Sequence, residues 1–235
     1  MESIFPVLAI VAFIIVFALF AIYSYHQQQQ RQADMAALAR ELNWQFVADS
    51  DYSYDSQYSQ FSGFCRGGSR YALNTLVGAL RVGKESWPAR MGDYHYTTTS
   101  SNGKTTTTHH HHFSYFLVQL PYPALPDLRI RREGLFDALA GVFGFDDINF
   151  ESSEFSKRFH VKSTNKKFAY DVVYPAMMEF LLAEEPPAIE IERSVCYLSD
   201  GSGTWSPVEF QERFIWATKF FDLWPKHLVA DLRSR

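Results

Sequence analysis

With 12 Gly and 10 Pro in 235 residues, the sequence has too little of either to be collagen-like or dominated by linkers. Its 22 Lys and Arg are nowhere concentrated enough to make a nucleic-acid footprint. The slightly negative mean hydropathy excludes a polytopic membrane protein. Several motifs are also absent. Gly201-Ser202-Gly203 has neither the Lys of a phosphate loop nor a dinucleotide fingerprint, and there is no nucleophile elbow. Asp146, Asp147, Glu151 and Glu154 lack the spacing of a calcium loop and read as a solvated turn. No reaction is named by any of this.

What the chain does have is apolar side chains, 47% of the total with 17% aromatic, and its densest apolar block comes first. From Ile4 to Tyr23 no charge interrupts the run. About 20 helical residues rise about 30 Å, the thickness of a hydrocarbon core, and a helix satisfies its own backbone there. Pro6 lies near the start, where its missing N–H costs little, and Tyr23 and Tyr25 mark an interfacial exit. A cleaved signal peptide would need a basic n-region and a shorter apolar core, whereas Glu2 stands here with no Lys or Arg. The run therefore reads as an uncleaved anchor. Arg31 and Arg40 follow it and no base precedes it, which places the C-terminal bulk in the cytoplasm by the positive-inside bias. Cys65 and Cys196 fit either a pair or two buried thiols.

Beyond the anchor, Met35, Leu38 and Leu42 recur at helical spacing. Trp44 and Phe46 begin a strand, and residues 49–60 read as an exposed loop. Strands are expected at Phe61–Arg66 and Arg70–Leu80, then in a hairpin whose arms flank Asn102-Gly103, then at Asp127–Arg132. Gly134–Val142 reads as a short helix and Phe155–Lys162 as a strand. Phe168–Ala183 has helical period, with Pro175 opening the helix proper. Ile189, Ile191, Val195 and Tyr197 predict a hairpin across Arg193-Ser194. Ser206-Pro207-Val208-Glu209 is a capping box ahead of an aromatic helix that Pro225 ends. Strands followed by interspersed helices indicate an α+β fold, mainly antiparallel, behind a single transmembrane helix.

The histidines come closest to a site. If Asn102-Gly103 is a two-residue turn, Asp93 opposes His112 and His95 opposes His110, all four on one face. Three imidazoles and a carboxylate suit zinc or another borderline ion. Against this, Thr105–Thr108 and His109–His112 are homopolymeric blocks, as a tolerant loop tip would have, and a one-residue slip dissolves the set. His160 reads as an outward strand residue, and Arg129, Arg131 and Arg132 as a solvated strand face.

The stretch Glu154-Phe155-Ser156-Lys157-Arg158-Phe159-His160-Val161-Lys162-Ser163, with Ala169-Tyr170 and Tyr174-Pro175-Ala176-Met177-Met178-Glu179-Phe180-Leu181, resembles a bacterial family of membrane-anchored domains of unknown function. The resemblance is strongest over residues 154–182; Leu135-Phe136-Asp137 and Phe145-Asp146-Asp147-Ile148 fit it as well. It implies a membrane-anchored α+β domain and brings no catalytic residue or cofactor.

The expected organisation is a transmembrane helix over residues 4–25, a juxtamembrane helix or linker over 26–43, a soluble domain over 44–225 and a tail over 226–235. The expected function is a non-enzymatic protein- or lipid-interaction module on the cytoplasmic face of the inner membrane. Its partners are the bilayer and an unidentified protein, and it has no cofactor. The alternative is a metal-binding or metal-dependent protein that holds zinc through Asp93, His95, His110 and His112.

Overall fold

A computed structural model describes residues 4–134, 147–184 and 186–234. The first helix, α1, runs unbroken from Ile4 to Glu41. Every side chain from Leu8 to Gln30 on it is exposed, and burial begins where Met35, Leu38 and Ala39 meet the core. The helix stops at Asn43, which takes a left-handed φ of 55°. Trp44 N–H then donates back to Ala39 at 2.8 Å, closing a Schellman-type end. The reversal lays Trp44 on Gly78, where a Cβ would come within 2.3 Å of the indole. Glycine is required there because the ring, packed on Phe116 and Phe214, has no room to retreat.

Among the described residues eight strands form one antiparallel sheet in the order β1-β2-β3-β4-β8-β7-β5-β6, which bears out the α+β class. They are β1 (Gln45–Val47), β2 (Gly68–Val82), β3 (Glu85–Ser101), β4 (Thr106–Gln119), β5 (Leu128–Arg132), β6 (Phe159–Ser163), β7 (Ala188–Glu192) and β8 (Val195–Ser199). Alternation fixes which residues each face receives. One row of paired residues, Phe46, Leu76, Met91, Phe116, Leu198, Ile189, Ile130 and Val161, crosses all eight strands on the core face. Over it pack the end of α1 and the helices α3 (Ser153–Arg158), α4 (Lys166–Val172), α5 (Pro175–Ala183), α6 (Pro207–Asp222) and α7 (Lys226–Ser234). Residues 226–234, expected as a tail, are the helix α7, with Leu228 and Leu232 buried.

The opposite face grades from apolar to charged. Its parallel row reads Val77, Arg90, Leu117, Tyr197, Glu190, Arg129, Lys162. A short helix α2 (Tyr54–Gln57) and a 3-10 turn at Ser62–Cys65 cover part of it with Tyr54, Phe61 and Phe64.

Local chemistry accounts for where the structure departs from the expected elements. Phe61–Arg66 is a 3-10 turn rather than a strand, because Phe61 and Phe64 both drop into the aromatic cluster beneath. Phe155–Arg158 is helical. Ser152 accepts from Phe155 N–H at 3.2 Å, and this cap overrides the alternation; the strand starts only at Phe159. Phe168–Ala183 is split into α4 and α5, broken before Pro175. The 49–60 loop holds α2 with Tyr54 buried. The hairpin at Arg193-Ser194 forms as expected, with both residues at positive φ (49° and 60°), and the Ser206–Glu209 capping box is complete. The helix expected at Gly134–Val142 lies, from position 135, outside the described residues.

Candidate functional site

The most heavily connected polar group is Asp93 on β3, 3% exposed and on the core face. Its carboxylate accepts from Arg31 Nε at 3.0 Å and Nη2 at 2.8 Å, from Asn74 Nδ2 at 3.1 Å and from Ser114 Oγ at 2.8 Å. Each donor is delivered by a local feature. Arg31 stands four and seven residues ahead of Met35 and Leu38, so it projects from the same face of α1. Asn74, at φ 51°, is in a β-bulge between Leu73 and Leu76, opposite Gly92, where a Cβ would come within 3.0 Å of the bulged backbone. Ser114 pairs with Asp93 across β3 and β4 and also accepts Trp205 N–H at 2.8 Å. The Arg31 guanidinium lies 5.6 Å from the Phe210 ring of α6. One carboxylate thus joins α1, β2, β3, β4 and the entry to α6.

Beside it are the histidines. The connection is not the expected two-residue turn. Asn102 does not take positive φ; its side chain accepts from Lys104 and Thr105 N–H, so residues 102–105 form a four-residue loop. The pairing shifts accordingly. His95 opposes His112, His110 opposes Thr97, and Asp93 opposes Ser114. The slip is by two positions in the paired sum, so Asp93, His95, His110 and His112 still share one face. His95 and His110 touch, Nε2 to Nδ1, at 3.0 Å, and the His95 and His112 rings are 4.8 Å apart. His95 Nδ1 donates to the Ser69 carbonyl at 3.0 Å, and Tyr71 stacks on the ring at 4.5 Å. Asp93 is turned away from them to Arg31. Among the described residues no three His, Cys, Asp or Glu side chains converge as they stand on a point that would hold a metal ion.

On the other sheet face the tyrosine cover stops short. A groove of about 260 Å³ opens there, floored by Val77, Leu117 and Val195 and edged by Tyr58, Pro88 and Gln119. The half-buried Arg90 lies in it and donates to the Tyr54 hydroxyl. Burial raises the Tyr58 phenol, which therefore stays protonated at neutral pH.

Arg31 and Arg90 went unnoticed as site residues in the sequence, although both left a signal. Arg31 falls on the Met35–Leu38 stripe, and Asp93 shares parity with the buried Ala89 and Met91. A charge of each sign on core-facing positions points to a buried pair. His160, read as outward, meets Glu133 and Asp147 at the charged end of the sheet.

The class so defined is a protein with, among the described residues, one helix, Leu8–Glu41, long and apolar enough to cross a membrane, fused without a break to an α+β sheet domain. No family model matches the chain and no curated protein does. Among solved structures it is similar to the mycobacterial trehalose monomycolate transport factor A, with a TM-score of 0.50 over 83% of this chain and 96% of that one, at 11% identity. At that identity the likeness speaks for the fold alone.

Two outcomes follow from the Asp93 cluster. Arg31→Met leaves a buried carboxylate with only neutral donors and should cost about 3 kcal/mol. Thermal unfolding of the full chain in detergent reads it, and replacing both partners (Arg31→Met with Asp93→Leu) should recover part of the loss; an unchanged melting temperature in the single variant contradicts the assignment. The second outcome concerns pH. His95 is held below its ordinary value by burial, with His110 and His111 adding to it against the Ser69 carbonyl. His112 is lowered by burial and by His95, with Asp93 opposing. For both, the unfolded chain binds protons more readily than the folded one. Their stability contribution is therefore whole above about pH 6.5 and is lost as pH falls below it. His95→Gln combined with His112→Gln should flatten the decline in melting temperature between about pH 7 and 5; an equal slope in variant and parent argues against it.

Proposed function

We propose that this chain is a single-pass membrane protein whose α+β domain binds lipid, or a protein partner, beside the bilayer and carries out no catalysis. The observation that supports it most is the continuity of α1. The apolar helix enters the domain without a hinge and is clamped there by the Arg31–Asp93 pair, so the sheet is held at a fixed attitude to the bilayer. Six residues separate Tyr25 from Arg31, about 9 Å of helix rise, so the clamp lies just below the aromatic exit. Residues 4–25 are the span in this reading and 26–43 carry it into the domain. The presence of Arg31 and Arg40 after the span favours a cytoplasmic domain on the inner membrane. That the similar solved structure is a trehalose monomycolate transport factor favours lipid over protein.

The test begins with carbonate extraction, in which the intact chain should stay with the membrane, and protease protection, in which the domain should be cut only from the cytoplasmic side. The protein is then purified in a mild detergent and its bound molecules are identified by mass spectrometry. Lipid enriched over an unrelated single-pass protein is the expected result. Release by carbonate, or no enrichment of lipid or protein, contradicts the reading.

A second reading is favoured by His95 alone. A ring whose Nδ1–H is tied to a backbone carbonyl presents Nε2 as metal-binding histidines do. A borderline divalent ion would take the place of the proton between His95 and His110, and a rotamer change would bring in His112, while Asp93 stays with Arg31. Untagged protein dialysed against chelator and then loaded with zinc should retain about one ion per chain and lose it in His95→Gln; no retained zinc ends this reading.

A further inference from the structure

The groove on the sheet face opposite the helices joins two features that together specify a ligand. The first is an apolar floor at the edge of the aromatic cover, where Val77 is half-exposed and Leu117 and Val195 are buried beneath it. At about 260 Å³ it sits just below the usual range of small-molecule pockets, room for one chain and not for two. The second is Arg90. It pairs with Val77 on one side and Leu117 on the other, so its position points straight into this face. The groups that act on its guanidinium among the described residues are the hydroxyls of Tyr54, Tyr58 and Tyr115, and no carboxylate is among them. Two other strand cations on this face each have an acidic neighbour: Arg129 meets Glu190 at 2.9 Å, and Lys162 meets Asp147 at 3.6 Å. A half-buried cation among phenols has a clear preference for an anion of its own, and a guanidinium takes a carboxylate in two parallel hydrogen bonds.

We propose that the groove binds a single fatty-acyl chain through its free carboxylate. The head group meets Arg90 and Tyr58 at the tyrosine-covered end, and the methylene tail lies over Val77, Leu117 and Val195 beneath Pro88. Charge complementarity selects the carboxylate; the narrow apolar floor selects one chain. The inference rests on the lipid-binding reading above and narrows it to a site and a ligand class. The groove is on the far side of the sheet from α1, so its ligand is a molecule taken out of the bilayer and not a lipid still within it.

The test uses the full chain in its native membrane and a photoactivatable, alkyne-tagged long-chain fatty acid, with its methyl ester and a similarly tagged diacyl phospholipid as companions. After irradiation the adducts are mapped by peptide mass spectrometry. The expected result is labelling of the peptides that carry Val77 and Val195 by the acid and about tenfold less by the ester, the loss expected when one charged hydrogen-bond contact is removed. Val77→Trp, which fills the groove at a half-exposed position, and Arg90→Met should each reduce acid labelling about tenfold, and Arg90→Lys should restore part of it. Melting curves of the purified variants confirm that they fold. Acid labelling confined to α1, unchanged in both variants, or equalled by the ester overturns the proposal. If the diacyl probe labels the domain and the fatty acid does not, this site assignment fails and the lipid-binding reading stands. If neither probe labels the domain, both fail.

Discussion

The architecture depends on one buried ion pair. A carboxylate at 3% exposure is tolerable only if its charge is answered and its lone pairs are filled, and Asp93 receives four hydrogen bonds from three side chains. Each donor places its own demand on the chain. Arg31 requires α1 to continue, unkinked, out of the apolar run and down onto the sheet. Asn74 requires a bulge with left-handed backbone, which Gly92 opposite lets pass close. Ser114 must also serve Trp205, which sets the approach to α6. Desolvation offsets much of what such a pair gains, so its main contribution is to admit a single arrangement. An apolar contact at the same place would let α1 slide or rotate on the sheet. A bidentate guanidinium with three neighbours does not.

That constraint separates the two faces of the sheet. The helices and the end of α1 take the core face, where the row from Phe46 to Val161 is apolar across every strand. Among the described residues nothing comparable covers the other face. Tyr54, Phe61 and Phe64 shield its middle, charge pairs occupy the β5–β6 end, and a groove opens at Val77 and Arg90. The aromatic content of the chain serves both: Trp and Phe fill the core under α6, while tyrosines, which keep a polar end, join Phe61 and Phe64 in the cover on the other side.

How much of this was legible in the sequence follows from range. Signals that act within a few residues were read correctly: the uninterrupted apolar run of α1, the Ser206–Glu209 box, the alternation and turn at 189–197. Those that compete within the same few residues were not. At Phe155 a serine cap and a strand-like alternation point in opposite directions, and the cap prevails. At Asn102 the side chain outcompetes the turn backbone for two N–H groups, which moves the register of the whole hairpin. The histidine set survived that error only because the shift preserved parity, so residues expected on one face remained there. Arg31 with Asp93 and Arg90 with its groove are long-range, and no local pattern pairs residues 62 positions apart.

The histidine cluster next to the clamp shows how few hydrogen-bond states such an arrangement allows. A neutral imidazole has one donor and one acceptor. With Nδ1–H of His95 given to Ser69, its Nε2 must accept, and His110 must donate from Nδ1. Protonation of His95 makes its Nε2 a donor, and the 3.0 Å contact is then kept by the other tautomer of His110, with the proton on Nε2 and Nδ1 accepting. His112 lies between this pair and the field of Asp93, which favours its charged form while burial and His95 oppose it. Charge arriving at His112 is therefore attracted toward the carboxylate that Arg31 already holds. The same carboxylate that fixes α1 to the sheet is the acidic group that acts on His112, so the helix clamp and the cluster share one side chain.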